Sequence, residues 1–179
     1  MSQRLIGLSS IFTTVDEGTA RDNQDRANEL EQSSNNAVLH QTSIRVRYAE
    51  TDQMGVVYYA NYFVWMEIGR VELVRSLGLN YKELEHTEGL FLSVVNSECR
   101  YISPARYDQE IVIQTQVAMA NSRMVEFTYK ICHADSGQLL ARGSTKHIWL
   151  NREMRPSRLP ARYSDLLRSV SHAAGGNAE

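Results

Sequence analysis

The chain is poor in the residues that mark a metal centre, a disulfide scaffold or a membrane anchor. Of its 179 residues only two are cysteine, Cys99 and Cys132. Both fall in stretches patterned as strands and lack metal-ligand spacing, so they read as buried reduced thiols, as expected of a cytoplasmic protein. No apolar run is long enough to span a bilayer. The N-terminal MSQRLIGLSSIFTTVDEG is a poor secretory signal, because its apolar part is thin and no small-residue cleavage site follows. A net charge of −2 gives no general pull toward nucleic acid or an anionic membrane, so any anionic ligand must be held by local basic groups. There is no Gly-rich phosphate loop, and Ser-His-Asp and Cys-His pairings lack local signatures. His133 and His147 lie on expected strands without paired ligand spacing and read as structural or surface residues, with no metal site.

What is present suffices for one domain with a full core, since 42 % of residues are hydrophobic and 22 % charged. The stretch ETDQMGVVYYANYFVWMEIGRVELVRSLG, residues 50–78, joins a turn, a glycine pivot and one long apolar helix. From Asn61 to Leu77 the spacing is helical, with Tyr62, Phe63, Val64, Trp65, Met66, Ile68, Val71, Leu73, Val74 and Leu77 predicting burial on most sides. Glu67 and Arg70 stand three apart and can pair across a turn, and Gly78 is placed to end the helix in the left-handed conformation. Asp52 and Gly55 put a carboxylate in a tight turn close to the helix start, where unpaired N–H groups and the positive end of the helix dipole favour negative charge. A carboxylate beside such donors is a minimal hydrolytic site. The same residues also suit a purely structural role, Thr51 or Asp52 shaping a turn or capping the helix.

Along the chain, residues 1–40 are rich in Ser, Thr, Asn, Gln, Asp and Glu and are expected to form a disordered or loosely helical tail. Alternation of Ile44, Val46 and Tyr48 with polar residues predicts a strand over 42–48. Asn80 and Glu83 suggest a short capped helix to about His86, and Gly89 returns the chain to sheet. Residues 91–101, 110–119, 124–133 and 138–150 read as strands with hairpin-like connections at Pro104, Asn121-Ser122 and Asp135-Ser136-Gly137. A short helix over 161–170 follows, with Leu166, Leu167 and Val170 on one side, and residues 171–179 read as a frayed end. The expectation is an α+β domain over 41–170, a curved antiparallel five-stranded sheet wrapped around one long central helix. Such a sheet leaves an unpaired edge, a liability usually solved by association.

The run TDQMGVVYYANYFVWMEIGR resembles the signature of hotdog-fold acyl-CoA thioesterases of the 4-hydroxybenzoyl-CoA thioesterase and YbgC type, which carry a D-x-x-G-V-V-Y-x-x-N-Y pattern. The resemblance continues more faintly through Pro104-Ala105-Arg106-Tyr107-Asp108 and Ala141-Arg142-Gly143-Ser144-Thr145, covering roughly residues 42–160. It implies the hotdog fold and a homodimer or homotetramer with active sites at the dimer interface. It also implies hydrolysis of a short- or medium-chain or aromatic acyl-CoA, with no cofactor beyond the coenzyme A of the substrate. By that resemblance Asp52 is the nucleophile or general base, the backbone N–H of Tyr59 is the oxyanion donor, and Gly55 shapes the turn. Ser122 and Arg123 match the place where the nucleotide of coenzyme A is held, with Lys146 and Arg106 as weaker candidates. Many YbgC-type members carry His where this chain has Tyr59, and Tyr resembles the aromatic-acyl branch.

One carboxylate suits this chemistry, because a thiol with a pKa near about 8.5 leaves readily as thiolate without a proton donor. Two other readings belong beside it. A hotdog hydratase or dehydratase acting on an acyl thioester would be expected to pair a His with an Asp or Glu. A non-catalytic acyl-thioester binding module would keep the fold and use Asp52 only for the turn.

Overall fold

The computed structural model describes residues 39–171. The readings for the N-terminal tail, up to residue 38, and for the C-terminal residues from 172 onward lie outside these described residues. Strand β1 (His40–Arg45) alternates between half-buried and exposed side chains. It ends earlier than its pattern suggests, because the Arg47 N–H is taken by the Glu50 carboxylate at 2.7 Å and so is lost to any strand neighbour. Residues Tyr48–Glu50 turn into a single 3-10 turn instead.

Helix α1 (Asn61–Ser76) buries Tyr62, Trp65, Met66, Gly69, Leu73 and Val74, a one-sided face spaced at three and four residues. Gly69 lets it approach the sheet closely: a Cβ there would lie 2.5 Å from Thr115 Oγ1 and 2.8 Å from Ile113 Cγ2. The opposite side is more open than the apolar run predicts, with Val64 44 % exposed. Glu67 and Arg70 do not form the expected ion pair; Arg75 pairs with Glu72, and Arg70 lies over the Tyr81 ring, 5.5 Å from its centroid. Gly78 ends the helix at φ +80°, as its position predicts. A short helix α2 opens at Tyr81–Glu83 and widens into a π-helical turn over Leu84–Glu88, capped by the Asn80 side chain accepting from the Lys82 N–H.

Strands β2 (Phe91–Tyr101), β3 (Glu110–Ala120), β4 (Met124–His133) and β5 (Leu139–Leu150) complete one antiparallel sheet in the order β1-β3-β4-β5-β2. The Pro104 connection is therefore not a hairpin. It carries the chain from the β2 edge to β3 on the far side of the sheet, because β2 takes β5 as its partner and β3 takes β1 and β4. Register shifts at Val94/Asn96, Val117/Met119 and Ile131/Cys132 bend the sheet around α1. The inner faces of β3, β4 and β5 supply Ile111, Ile113, Val117, Val125, Phe127, Tyr129, Ile131, Ala141 and Trp149 to the core. Helix α3 (Ala161–Ser169) packs against it through Leu166 and Leu167, with Val170 just beyond. Cys99 and Cys132 are free but only half-buried, a correction to their expected full burial: Cys99 lies on the edge strand β2, and Cys132 faces away from the helix. Among the described residues no helix is long and apolar enough to cross a membrane.

Candidate active site

The turn before α1 is a small hairpin. Thr51 bridges Val57, the Asp52 N–H donates to Val56 O at 2.9 Å, and the Gly55 N–H donates to Asp52 O at 3.0 Å. Gly55 sits at φ +70°, where a side chain is strained, which is the reason for glycine at this point. One carboxylate oxygen of Asp52 accepts the Met54 N–H at 2.8 Å, so the side chain is held by its own turn. The other oxygen has no hydrogen-bond partner among the described residues.

Glu50 fixes this turn to the helix. Its carboxylate is 5 % exposed and accepts from Arg47 N (2.7 Å), Arg47 Nη2 (2.9 Å) and Trp65 Nε1 (3.1 Å). Burial opposes its charge, but the hydrogen bonds from Arg47 and Trp65 prevail and hold it below the usual carboxylate range. Its carbonyl oxygen accepts the Tyr58 N–H at 2.9 Å and the Asn61 side-chain amide at 2.8 Å. Chain direction on the other side of Tyr59 is set by Tyr101, whose hydroxyl donates to Tyr59 O at 3.1 Å. Burial, together with Cys99, Tyr62 and Tyr59 nearby, pushes the Tyr101 hydroxyl up to about 12, which keeps it a donor. Between these two anchors the N–H groups of Tyr59 and Ala60 have no acceptor among the described residues, and no side chain caps the helix start.

Asp52 and Tyr59 line one cleft of about 320 Å³ with Met54, Val57, Tyr62 and Tyr101. Tyr62 crosses Tyr101 edge to face at 5.1 Å, and its hydroxyl accepts the Ala105 N–H at 3.2 Å, tying the helix to the β2–β3 connection. Arg106, on that connection, reaches Gly55 O at 3.4 Å, so the structure brings Asp52, Gly55, Tyr59 and Arg106 together. The other expected coenzyme-binding residues are elsewhere in the chain. Lys146 points away from the helix on the outer face of β5 and pairs with Glu126 at 3.2 Å. Ser122 and Arg123 occupy the β3–β4 turn, knitted to Leu159 and Trp149, at the opposite end of the sheet from Tyr101 and Asp52. Sequence reasoning gave no role to Glu50 or Tyr101. Glu50 reaches Trp65 across 15 positions and Tyr101 reaches Tyr59 across 42, so neither contact had a local signal, although the spacing of three between Arg47 and Glu50 could have suggested that pair.

A family model described as the thioesterase-like superfamily matches residues 46–169. YneP of Bacillus subtilis is 39 % identical over 110 residues, covering 62 % of this chain and 78 % of its own. The acyl-CoA thioester hydrolase YbgC of Escherichia coli O157:H7 is 32 % identical over 101 residues, covering 56 % and 75 %. Among solved structures, a DHNA-CoA thioesterase from Staphylococcus aureus superposes with a TM-score of 0.67 at 30 % identity, covering 71 % of this chain and 85 % of that one.

Proposed function

Because the chain belongs to the thioesterase-like superfamily, we propose that it is an acyl-CoA thioesterase in which Asp52 is the catalytic carboxylate and the Tyr59 N–H the oxyanion donor. The observation that carries this reading is the cleft itself: a carboxylate with one oxygen fixed and one unengaged lines the same space as the residue that opens the helix with an unpaired amide. The thioester carbonyl oxygen would meet the Tyr59 N–H, which stabilises the charge that develops there; losing one such donor typically costs about 3 kcal/mol of barrier. The free Asp52 oxygen then acts in one of two ways. It adds to the carbonyl carbon, expelling coenzyme A thiolate and leaving a mixed anhydride that water cleaves. Alternatively it takes a proton from a water that adds instead, and the same thiolate leaves. Among the described residues no histidine lines the cleft, whereas a hydratase would be expected to pair a His with an Asp or Glu.

The site is completed by a second copy of the chain. Strand β2 is a long open edge bearing exposed Val94 and Val95, with exposed Val64 of α1 nearby. Two-fold antiparallel pairing of β2 with its copy would set the partner's β3–β4 turn at the Asp52 end of the sheet. Ser122 and Arg123, too far away within one chain, would then stand where the phosphates of coenzyme A emerge.

Thiol release from short, long and aromatic acyl-CoAs, and from acyl-carrier-protein thioesters, tests the function. Asp52→Asn keeps the size and the Met54 hydrogen bond but removes the charge. We expect wild type to turn over some thioester and the folded variant to lose about 10²–10⁴-fold in rate. A folded Asp52→Asn protein as active as wild type would refute the mechanism. Tight coenzyme A binding with no turnover of any thioester would replace the enzyme with a binding module.

A further inference from the structure

Tyr59 is the residue of the helix start that its own segment holds least. The residues around it are fixed through Glu50 O, which accepts the Tyr58 N–H at 2.9 Å and the Asn61 side-chain amide at 2.8 Å. The first turn of α1 closes with three backbone bonds: Asn61 N–H to Tyr58 O at 2.9 Å, Phe63 N–H to Ala60 O at 3.1 Å, and Tyr62 N–H to Tyr59 O at 3.4 Å. The last is the longest of the three and lies outside the usual range for an N–H to carbonyl bond. No side chain caps the helix either, because the position before Asn61 is an alanine. The Tyr59 carbonyl is therefore the loose joint of this turn. Its peptide carries one of the two N–H groups without an acceptor among the described residues, that of Ala60, and adjoins the other, that of Tyr59.

Tyr101 supplies the bond that the turn lacks. Its hydroxyl lies 3.1 Å from Tyr59 O, and since a carbonyl oxygen only accepts, the hydroxyl is the donor and the place of its proton is fixed by geometry. The ring is set for this. Tyr101 ends β2, its pairing with Ala141 of β5 turns it to the inner face of the sheet, and Tyr62 meets it edge to face at 5.1 Å. Tyr101 and Tyr59 line the same cleft as Asp52. With the hydroxyl in place Tyr59 is pinned on both sides, by the Tyr58 N–H on Glu50 before it and by its own carbonyl on Tyr101 after it. An amide fixed before substrate arrives is what makes a donor effective against charge that appears only during the reaction. A hydrogen bond to a peptide oxygen also polarises that peptide.

We propose that Tyr101 is a positioning residue of the reaction: its hydroxyl acts through the Tyr59 carbonyl and holds the Tyr59 amide where the thioester oxyanion forms. The inference rests on the thioesterase reading and adds to it a residue whose hydroxyl works only through the backbone of another. What it holds in place is engaged most strongly in the transition state, so its loss falls on kcat.

Tyr101→Phe tests it, keeping the ring and its contact with Tyr62 and removing only the hydroxyl. On the acyl-CoA that wild type cleaves best, kcat should fall about tenfold, the worth of about one neutral hydrogen bond, while KM stays within about twofold. Two conjugates of coenzyme A give a readout that loosened packing would not. One is a trifluoromethyl ketone, which gains oxyanion character when a nucleophile adds to it; the other is the matching thioether without the carbonyl. The variant should bind the ketone about tenfold more weakly and the thioether as wild type does. Replacing Tyr101 by 3-fluorotyrosine keeps the hydroxyl and makes it a stronger donor, and should give a kcat at or above that of wild type at neutral pH. If Tyr101→Phe keeps the wild-type kcat, if its defect lies in KM alone, if both conjugates weaken alike, or if fluorotyrosine is no better than phenylalanine, the inference falls and the thioesterase reading stands. If wild type cleaves no thioester at all, both fall.

Discussion

Glu50→Gln probes the piece of the site that the sequence hides best. The carboxylate faces three donors, with Oε2 taking Arg47 N and Oε1 taking both Arg47 Nη2 and Trp65 Nε1. A glutamine offers one oxygen and one NH₂. If its oxygen replaces Oε1, its NH₂ opposes the Arg47 backbone N–H; if it replaces Oε2, the NH₂ opposes Trp65 and the guanidinium. Either orientation removes at least one bond to a charged acceptor, worth about 1.5–3 kcal/mol, and sets donor against donor in a buried place. We expect a loss of about 3 kcal/mol and, for a domain of this size, a fall in Tm of about 10 °C, read by thermal denaturation at neutral pH. The pH dependence gives a second signature. Glu50 is held below its ordinary value in the folded state, so its contribution is complete above the unfolded value, about 4.3, and is lost as pH falls through the folded value. The melting gap between wild type and variant should therefore narrow on acidification below about pH 4. A variant that melts alongside wild type at neutral pH, or a gap that widens in acid, would refute the reasoning.

Two further outcomes follow from packing and from the open edge. Gly69→Ala forces a methyl against Thr115 Oγ1 and Ile113 Cγ2 and should cost about 1–3 kcal/mol; Thr115→Ala removes the nearer obstacle and an unpaired buried hydroxyl, and should recover part of that loss in a double-mutant cycle. Val95→Lys places a charge on the exposed β2 edge and should convert a dimer to monomers in analytical ultracentrifugation, with lower thioesterase activity and unchanged far-UV circular dichroism. A monomeric wild type would refute the paired edge.

Local pattern carried much of this protein. The helix of residues 61–76, its stop at Gly78, the four long strands and the Asp52–Gly55 turn each depend on neighbours within a few positions, so spacing and turn chemistry expose them. The motif around Asp52 was legible for the same reason, since a contiguous stretch holds both the carboxylate and the helix start. What the sequence alone did not determine was everything set by contacts across the fold. It suggested a hairpin at Pro104, although β2 sits at the far edge beside β5, because which strands pair depends on which faces fit the core. It left Glu67 and Arg70 as a pair, although tertiary packing gives Arg70 the Tyr81 ring instead. Within one chain Lys146 stands on the outer face of the sheet, and Ser122 and Arg123 lie at the other end of it from Asp52, a separation that the proposed pairing of two copies would close. Only the tertiary structure joined Glu50 to Trp65, Tyr101 to Tyr59, and Tyr129 through Thr145 to His147, because hydrogen bonds between distant residues follow from packing and leave no local period to read.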